Sequence, residues 1–154
     1  LFLLIPIWES FYFYWIHRLL HVPFMYKYVH ALHHRNINVG PWSGLSMHPV
    51  EHVIYLGTVL IHWLVAAHPV HILYHLQYYT LTAATTHTGF EGLIVQNQDR
   101  LKLGTFHHQM HHRYFECNYG SLEMPWDKFF GSFHDGTQGA DERIKQRRKR
   151  MMNS

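Results

Sequence analysis

The amino-acid sequence predicts an all-α fold, a membrane-embedded helical bundle with a histidine-rich dimetal site that faces the cytoplasm. Three observations support this prediction. No Asp, Glu, Lys or Arg occurs between Glu51 and Glu91. Charged residues make up 15% of the chain and aromatic residues 16%, a balance that is more typical of membrane proteins than of soluble ones. Histidine accounts for 17 of the 154 residues, and many of these histidines lie at helical spacing.

The overall composition narrows the possible classes of protein. The mean hydropathy of −0.19 is low for a membrane protein, but hydropathy scales penalise histidine, and histidines that bind a metal do not incur that cost. Cys117 is the single cysteine, which excludes an intrachain disulfide and a cysteine-rich zinc site. The net charge of +3 comes largely from the C-terminal residues and gives no indication of nucleic-acid binding.

The N-terminal region predicts two helices. The chain begins without Met, in the middle of an apolar run, so we expect a fragment whose N-terminal part is missing. Residues 1–16 are typical of the end of a membrane-embedded helix that leads into His17 at the membrane surface. A buried core helix is the alternative, because the run is shorter than a full span. Pro23 interrupts the pattern, and a second helix is predicted over residues 26–35.

The middle of the chain predicts a pair of helices. Residues 36–47 form a loop, and His48 is expected to cap a helix that starts at Pro49. The uncharged run exceeds one membrane span of about 20 residues. Pro69 divides it into two helices that enter and leave the bilayer on the same side. A fully soluble helical bundle is the alternative. The histidines inside this run are expected to be satisfied by neighbouring helices or by interfacial contacts, and a functional role for intramembrane ionisable groups is the alternative. They are His62, His68, His71 and His75.

The C-terminal third predicts a loop over residues 96–104 and then a histidine-bearing helix. The stretch 122–133 mixes aromatic with charged residues, which suits either a segment lying on the membrane interface or a packed helix. Six of the eight residues 143–150 are basic, which indicates a solvated, partly disordered tail that in a membrane protein marks the cytoplasmic side. We therefore expect a catalytic domain over residues 1–136 and a basic tail over residues 137–154.

The pattern HxxHH occurs twice, and its spacing places three side chains on one face of a helix. It is formed by His108, His111 and His112, and again by His30, His33 and His34; His17 and His21 add an HxxxH pair. At this histidine content, chance produces one HxxHH roughly 0.2 times in such a chain. The repetition therefore indicates a metal site.

The number of histidines favours two metal ions rather than one. One zinc ion takes four ligands, and haem takes one or two axial histidines, so either would leave most of the set unexplained. Imidazole binds Zn, Cu, Fe and Ni, so the ligand type does not identify the metal. The Glu-x-x-His pairs of soluble di-iron bundles are missing from this sequence. The candidates with suitable spacing are His17, His21, His30, His33, His34, His87, His108, His111 and His112.

The ordered motifs resemble those of a known superfamily. HRLLH, HALHH, HTGFE and HHQMHH, followed by NYG and a Trp-Asp pair, are similar to the fatty acid hydroxylase/sterol desaturase superfamily of integral membrane di-iron enzymes. The stretch from His107 to Phe133 is most similar to sterol C-5 desaturases, the lathosterol oxidases. The resemblance runs from about His17 to Phe133.

This resemblance implies two iron ions, O₂ as co-substrate, and hydroxylation or desaturation of a C–H bond in a sterol or fatty acyl lipid. Electrons would come from a b-type cytochrome or a ferredoxin with its reductase. The membrane would be the endoplasmic reticulum in a eukaryote or the inner membrane in a bacterium. The same nine histidines would be the iron ligands.

One departure from the superfamily pattern concerns His87. Some members carry a second histidine four residues away, whereas this chain has Ala83 and Glu91 at the flanking positions. One metal would then have one ligand fewer, or it would recruit His48, His52 or His107. Two alternatives remain at this point, namely a membrane metal carrier or sensor, and a zinc or nickel site that only stabilises the fold.

Overall fold

A computed structural model describes residues 1–95 and 98–152. Its described part is helical apart from one two-stranded hairpin, which confirms the predicted helical architecture and adds the hairpin to it. The α-helices are α1 (Leu4–Leu20), α2 (Pro23–Tyr28), α3 (Pro49–Leu56), α4 (Pro69–Thr86), α5 (Thr105–Tyr114), α6 (Trp126–Phe129) and α7 (Gln138–Met152). Three 3₁₀ helices span His30–Arg35, Pro41–Leu45 and Gly57–Trp63.

Helix α1 runs through the centre of the fold and ends at the histidines. Its C-terminal Leu20 packs with Val29, Tyr55 and Tyr79 in a buried apolar cluster. Val22 is extended because it precedes Pro23, and this conformation stops α1. The predicted second helix over residues 26–35 is wrong in form, because α2 ends at Tyr28 and a 3₁₀ helix carries the first HxxHH pattern.

The two predicted helices of the uncharged run are present, and Pro69 separates them. His48 caps α3 as predicted, since its Nδ1 accepts a hydrogen bond from the backbone N–H of Val50. His68 caps α4 in the same way, with Pro69 as the first helical residue. The first of the two helices changes from α to 3₁₀ at Gly57. Within residues 1–95 and 98–152, no helix combines the length and the apolar character that crossing a bilayer requires.

The predicted loop over residues 96–104 is wrong for most of its length. Strands β1 (Gly92–Val95) and β2 (Gln98–Lys102) pair antiparallel, with a bulge after Leu93; Gln96 and Asn97 lie outside the described residues. Leu103 N–H then bonds to the carbonyl of Glu91, and the Glu91 carboxylate accepts from Phe106 N–H in the first turn of α5. The hairpin therefore delivers the chain to α5 in a fixed orientation.

The C-terminal segments pack against α1. Trp126 begins the short helix α6 and donates from Nε1 to Ser10 Oγ at 3.1 Å. The prediction of a partly disordered tail is wrong for residues 143–150, which form part of α7. Ala140 in the first turn of α7 is buried, and Asp141 accepts a hydrogen bond from His134 Nε2 at 3.0 Å. These contacts fix the start of the helix, and further along it Arg143, Lys145, Arg147 and Lys149 are exposed.

Candidate metal centre

The structure brings all nine candidate histidines together in two neighbouring groups. The five-histidine group consists of His17, His21, His30, His34 and His111, and the four-histidine group consists of His33, His87, His108 and His112. Within each group, one nitrogen from every ring lies within 4.8 Å of the others. Eight of the nine residues are buried, and His21 is half-buried.

Each HxxHH pattern is divided between the two groups. In the 3₁₀ helix, His30 and His34 join the five-histidine group while His33 joins the other. In α5 the division is reversed, since His111 joins the five-histidine group while His108 and His112 join the other. Adjacent residues of a helix point in directions about 100° apart, so neighbouring histidines face different groups.

The nitrogen spacing in the five-histidine group matches metal coordination. His21 Nε2 lies 3.0 Å from His111 Nε2 and 3.1 Å from the Nε2 atoms of His30 and His34. His34 Nε2 lies 3.0 Å from His30 Nε2 and 3.1 Å from His111 Nε2. Two nitrogens bound at right angles to one ion, each at about 2.1 Å, would be about 3.0 Å apart. In the other group, His108 and His112 have the same Nε2 separation of 3.1 Å.

Buried acceptors fix which nitrogen of these rings carries the proton. His17 Nδ1 lies 2.7 Å from the carbonyl oxygen of Tyr119, and His111 Nδ1 lies 2.6 Å from that of Cys117. His30 Nδ1 lies 2.7 Å from the Glu51 carboxylate. A neutral imidazole that donates from Nδ1 has a bare lone pair on Nε2, which is the form that binds metals.

Two rings of the four-histidine group are also oriented by backbone carbonyls, His87 through a short hydrogen bond and His33 through a longer contact. His87 Nδ1 donates to the carbonyl oxygen of Ala83 at 2.7 Å, and His33 Nδ1 lies 3.4 Å from that of Ser46. Ala83 occupies one of the positions at which the sequence departs from the superfamily pattern. Its backbone oxygen thus orients the histidine four residues later.

Without a cation, these lone pairs would face one another. His30 and His111 both present bare Nε2 atoms to His21 and His34, and a proton on one of those rings could satisfy only one neighbour at a time. His17 Nε2 and His87 Nε2 are buried and have no hydrogen-bond partner among the described residues. Converging, unpartnered acceptor nitrogens in a buried site fit two metal ions.

Burial keeps these imidazoles neutral. Desolvation lowers the pKa of His30 and of His87 to about 3, and that of His33 to about 4. It places the pKa values of His17, His108 and His111 well below their ordinary range, and neighbouring histidines add to this effect. Desolvation also raises the pKa of the Glu51 carboxyl to about 7. Metal ions therefore compete little with protons for these rings at neutral pH.

The histidines considered as substitutes lie outside both groups. His48 caps α3, His52 Nε2 lies 3.2 Å from the carbonyl of Leu45, and His107 Nε2 lies 3.3 Å from the Asp127 carboxylate. His62 and His75 are hydrogen-bonded to each other, and the ring of His71 packs at a tilt against Phe2. The four-histidine group is thus completed by none of them in the part of the chain that the structure describes.

Sequence reasoning missed the groups that orient the ligands. The backbone carbonyls of Tyr119, Cys117 and Ala83 could not be found, since every residue has a carbonyl. Glu51 carried a usable signal, because it is an acidic residue close to two histidines and borders a long uncharged run. A buried carboxylate beside metal-type histidines is a common orienting partner.

A mostly apolar cavity of about 600 Å³, counted with its open mouth, reaches the metal centre. Histidines of both groups line it, namely His17, His33, His87 and His108. Phe13, Met47 and Tyr55 contribute apolar and aromatic wall. This lining suits an apolar ligand.

Comparison with known proteins agrees with this geometry. The sequence model of the fatty acid hydroxylase family matches residues 2–132, which contain all nine histidines. The chain belongs to the fatty acid hydroxylase family. The resemblance inferred from the histidine motifs is thereby confirmed.

Several curated relatives of this family member are sterol-modifying enzymes. A Delta(7)-sterol 5(6)-desaturase of Gibberella zeae is 35% identical over 77% of this chain and 37% of its own length. That of Saccharomyces cerevisiae is 32% identical over 78% of this chain and 32% of its own length. The lathosterol oxidase of Mus musculus is 33% identical over 78% of this chain and 40% of its own length. The chain thus spans between about a third and two fifths of the length of these relatives. No solved structure matches it.

Proposed function

We propose that this chain is the metal-binding part of a membrane-bound non-haem di-iron oxidoreductase that uses O₂ to hydroxylate or desaturate a C–H bond of a sterol or fatty acyl lipid. The observation that carries this proposal is the pair of histidine groups at the wall of an apolar cavity. The sterol desaturases among the relatives support the substrate class.

Under this proposal, the nine histidines hold two iron ions, five around one ion and four around the other. Iron bound there would supply the dioxygen chemistry that unactivated C–H bonds require. The protein contributes neutral imidazoles, whose Nε2 lone pairs are directed inwards by Glu51 and by the carbonyls of Tyr119, Cys117 and Ala83. Such orienting partners raise metal affinity by about 10- to 100-fold.

The cavity would position the lipid and exclude water. Phe13, Met47 and Tyr55 offer apolar contact to a ring system or an acyl chain beside the histidines. Hydroxylation and desaturation both begin by removing one hydrogen from carbon, so this arrangement of residues serves either reaction. Reducing equivalents would come from a b-type cytochrome or from a ferredoxin with its reductase.

Exposed apolar side chains support a location at a membrane. Leu3, Trp42, Trp63 and Leu64 are each 84–86% exposed. Exposed apolar side chains mark surfaces that contact lipid or other protein where they form a contiguous patch, and Trp63 and Leu64 are neighbours in the chain. We propose integral association with the endoplasmic reticulum membrane in a eukaryote, or with the inner membrane in a bacterium. The basic face of α7 would lie on the cytoplasmic side together with the metal centre.

The test is the iron content per chain of the full-length protein, purified in detergent, for the wild type and for His111→Ala. We expect about two irons in the wild type, their loss in the variant, and oxidised sterol or acyl products when an electron donor is supplied. Bound metal without any oxidised lipid, even after iron reconstitution, would favour a metal carrier or sensor. No stoichiometric metal would overturn the proposal.

A further inference from the structure

A second polar cluster lies in the same cavity, away from the metal centre. Glu9 on α1 and Tyr79 on α4 both line the cavity and are only 5% and 6% exposed. Each lies eight residues before a histidine of its own helix region, His17 and His87 respectively. Eight residues correspond to about 12 Å of helix axis. The cavity therefore has the histidines at one end and this polar pair towards the other.

Tyr79 carries a hydroxyl that has no partner. Its oxygen is buried and makes no hydrogen bond to any residue in the described ranges. Burial, with the nearby Glu9 and Glu51 carboxylates, raises the pKa of Tyr79, so the phenol keeps its proton and remains a donor. A buried hydroxyl without a partner costs about 1–3 kcal/mol, and a ligand in the cavity can relieve that cost.

Glu9 is held in place so that one of its oxygens stays available. Thr58 Oγ1 donates to Glu9 Oε2 at 2.7 Å, and His75 Nε2 lies 3.1 Å from the same oxygen. His62 Nε2 in turn lies 3.1 Å from His75 Nδ1. The hydrogen bonds of the carboxylate thus converge on Oε2, and Oε1 makes none among the described residues. Thr58 and His75 are fully buried, so this arrangement is rigid.

We propose that Tyr79 and Glu9 form a subsite for a hydroxyl group of the lipid. A hydroxyl both accepts and donates a hydrogen bond, so it can accept from Tyr79 and donate to Glu9 Oε1. A free carboxylate has no proton to donate to Glu9 Oε1, so it would fit this position less well than a hydroxyl. A lipid that fills the cavity is then held by its hydroxyl at one end while another part of the molecule lies beside the histidines.

This inference rests on the proposed function only in taking a lipid as the occupant of the cavity. Its test measures binding and does not require the enzyme to oxidise the lipid. The probes are two matched pairs, cholestanol with 5α-cholestane and hexadecanol with hexadecane, each tritiated. Dissociation constants are measured in detergent on full-length protein without an electron donor. One net hydrogen bond predicts about fivefold tighter binding of the hydroxylated member of at least one pair to the wild type.

In Tyr79→Phe that ratio should fall to about one, while binding of the probe without the hydroxyl is unchanged. Tyr74→Phe is the matched control, since Tyr74 lies on the same helix outside the cavity, and it should keep the wild-type ratio. The isosteric Glu9→Gln should reduce the ratio in part, because a neutral acceptor binds a hydroxyl less strongly.

Two results would overturn the subsite. The first is a ratio of one in the wild type for both probe pairs. The second is an equal loss of affinity for both members of a pair in Tyr79→Phe, because this would mean that Tyr79 has only a structural role. Intact hydroxyl selectivity in a protein without iron would leave the subsite standing and contradict only the proposed function.

Discussion

Glu51 shows how one carboxylate can set the chemistry of a metal ligand. It is fully buried, and it accepts the Nδ1 proton of His30, a member of the five-histidine group. Without this acceptor, the ring of His30 would lose the contact that directs Nε2 towards the other imidazoles. Among the described residues, Glu51 is the acidic side chain that hydrogen-bonds to this ring.

We therefore expect Glu51→Ala to lower iron affinity by about 10- to 100-fold, with a smaller loss in Glu51→Gln, whose amide oxygen can still accept the proton. The measurement is the chelator concentration that removes half of the iron. His52→Ala, one residue further along α3, is the control and should behave as the wild type. Equal chelator resistance in all four proteins would contradict the orienting role of Glu51.

Replacing a histidine of either group should reduce activity far more than replacing a histidine outside the groups. His108→Ala, His111→Ala and His112→Ala should each abolish lipid oxidation, because each removes a buried nitrogen from a group of four or five. His71→Ala should retain most of the activity, since His71 lies outside both groups and packs against Phe2. Product formation by mass spectrometry is the measurement. Inactivity of His71→Ala in folded protein would mean that the division into ligands and other histidines is wrong.

At the scale of elements, the contact between α4 and the 3₁₀ helix Pro41–Leu45 positions His87. A Cβ on Gly44 would collide with the carbonyl oxygen of Ala83 and lie 3.0 Å from His87 Nδ1. These two atoms form the hydrogen bond that orients His87. Close approach of the two helices at this glycine therefore sets the geometry of the four-histidine group.

Gly44→Ala should destabilise the protein by about 1–3 kcal/mol and lower its iron content, because the end of α4 must shift. Gly40→Ala is a matched control, since nothing lies within 4 Å of a Cβ there. Denaturant unfolding and elemental analysis test both effects. The same midpoint and iron content in the two variants would argue against the close approach.

The sequence was informative where periodicity or a local cap determines structure. It predicted α5, the His48 cap, and the separation of α3 from α4 at Pro69. It did not predict the 3₁₀ form of His30–Arg35, whose histidines are buried among those of other segments. It also missed β2, which depends on pairing with β1, and α7, where a dense run of like charges pointed to disorder although Arg, Lys, Glu and Gln are good helix formers.

For the site, the sequence identified all nine histidines that the structure brings together, but it did not predict how they divide. Spacing within HxxHH indicates a shared face, whereas His33 and His34 belong to different groups because adjacent residues diverge around the helix axis. Their role as iron ligands stays a prediction. Partners such as the carbonyl of Tyr119 depend on tertiary contact, which no local pattern encodes.

At the scale of the whole molecule, burying so many neutral histidines makes stability depend on pH. The ordinary histidine pKa of 6.5 applies in the unfolded chain, whereas burial lowers it to about 4 at His33 and to about 3 at His30 and His87. Between these values the unfolded state binds more protons than the native state. The contribution of these histidines to stability is therefore complete above pH 6.5 and is lost progressively as the pH falls towards 3.

Urea unfolding of chelator-treated protein should show this trend, with a clearly lower midpoint at pH 5 than at pH 7.5. Chelation removes the additional effect of acid on bound metal. His87→Gln should make the dependence shallower, because it removes one of the buried groups. A midpoint that does not change between the two pH values would contradict the burial of neutral imidazoles.

The division of both HxxHH patterns has a consequence for how the protein fills with metal. The 3₁₀ helix His30–Arg35 and α5 each supply histidines to both groups, so a metal ion bound by one group would restrain the two segments that carry histidines of the other. The entropy of ordering these segments is then lost once rather than twice. Iron uptake should be positively cooperative, and partly loaded preparations should contain mainly empty and doubly occupied molecules.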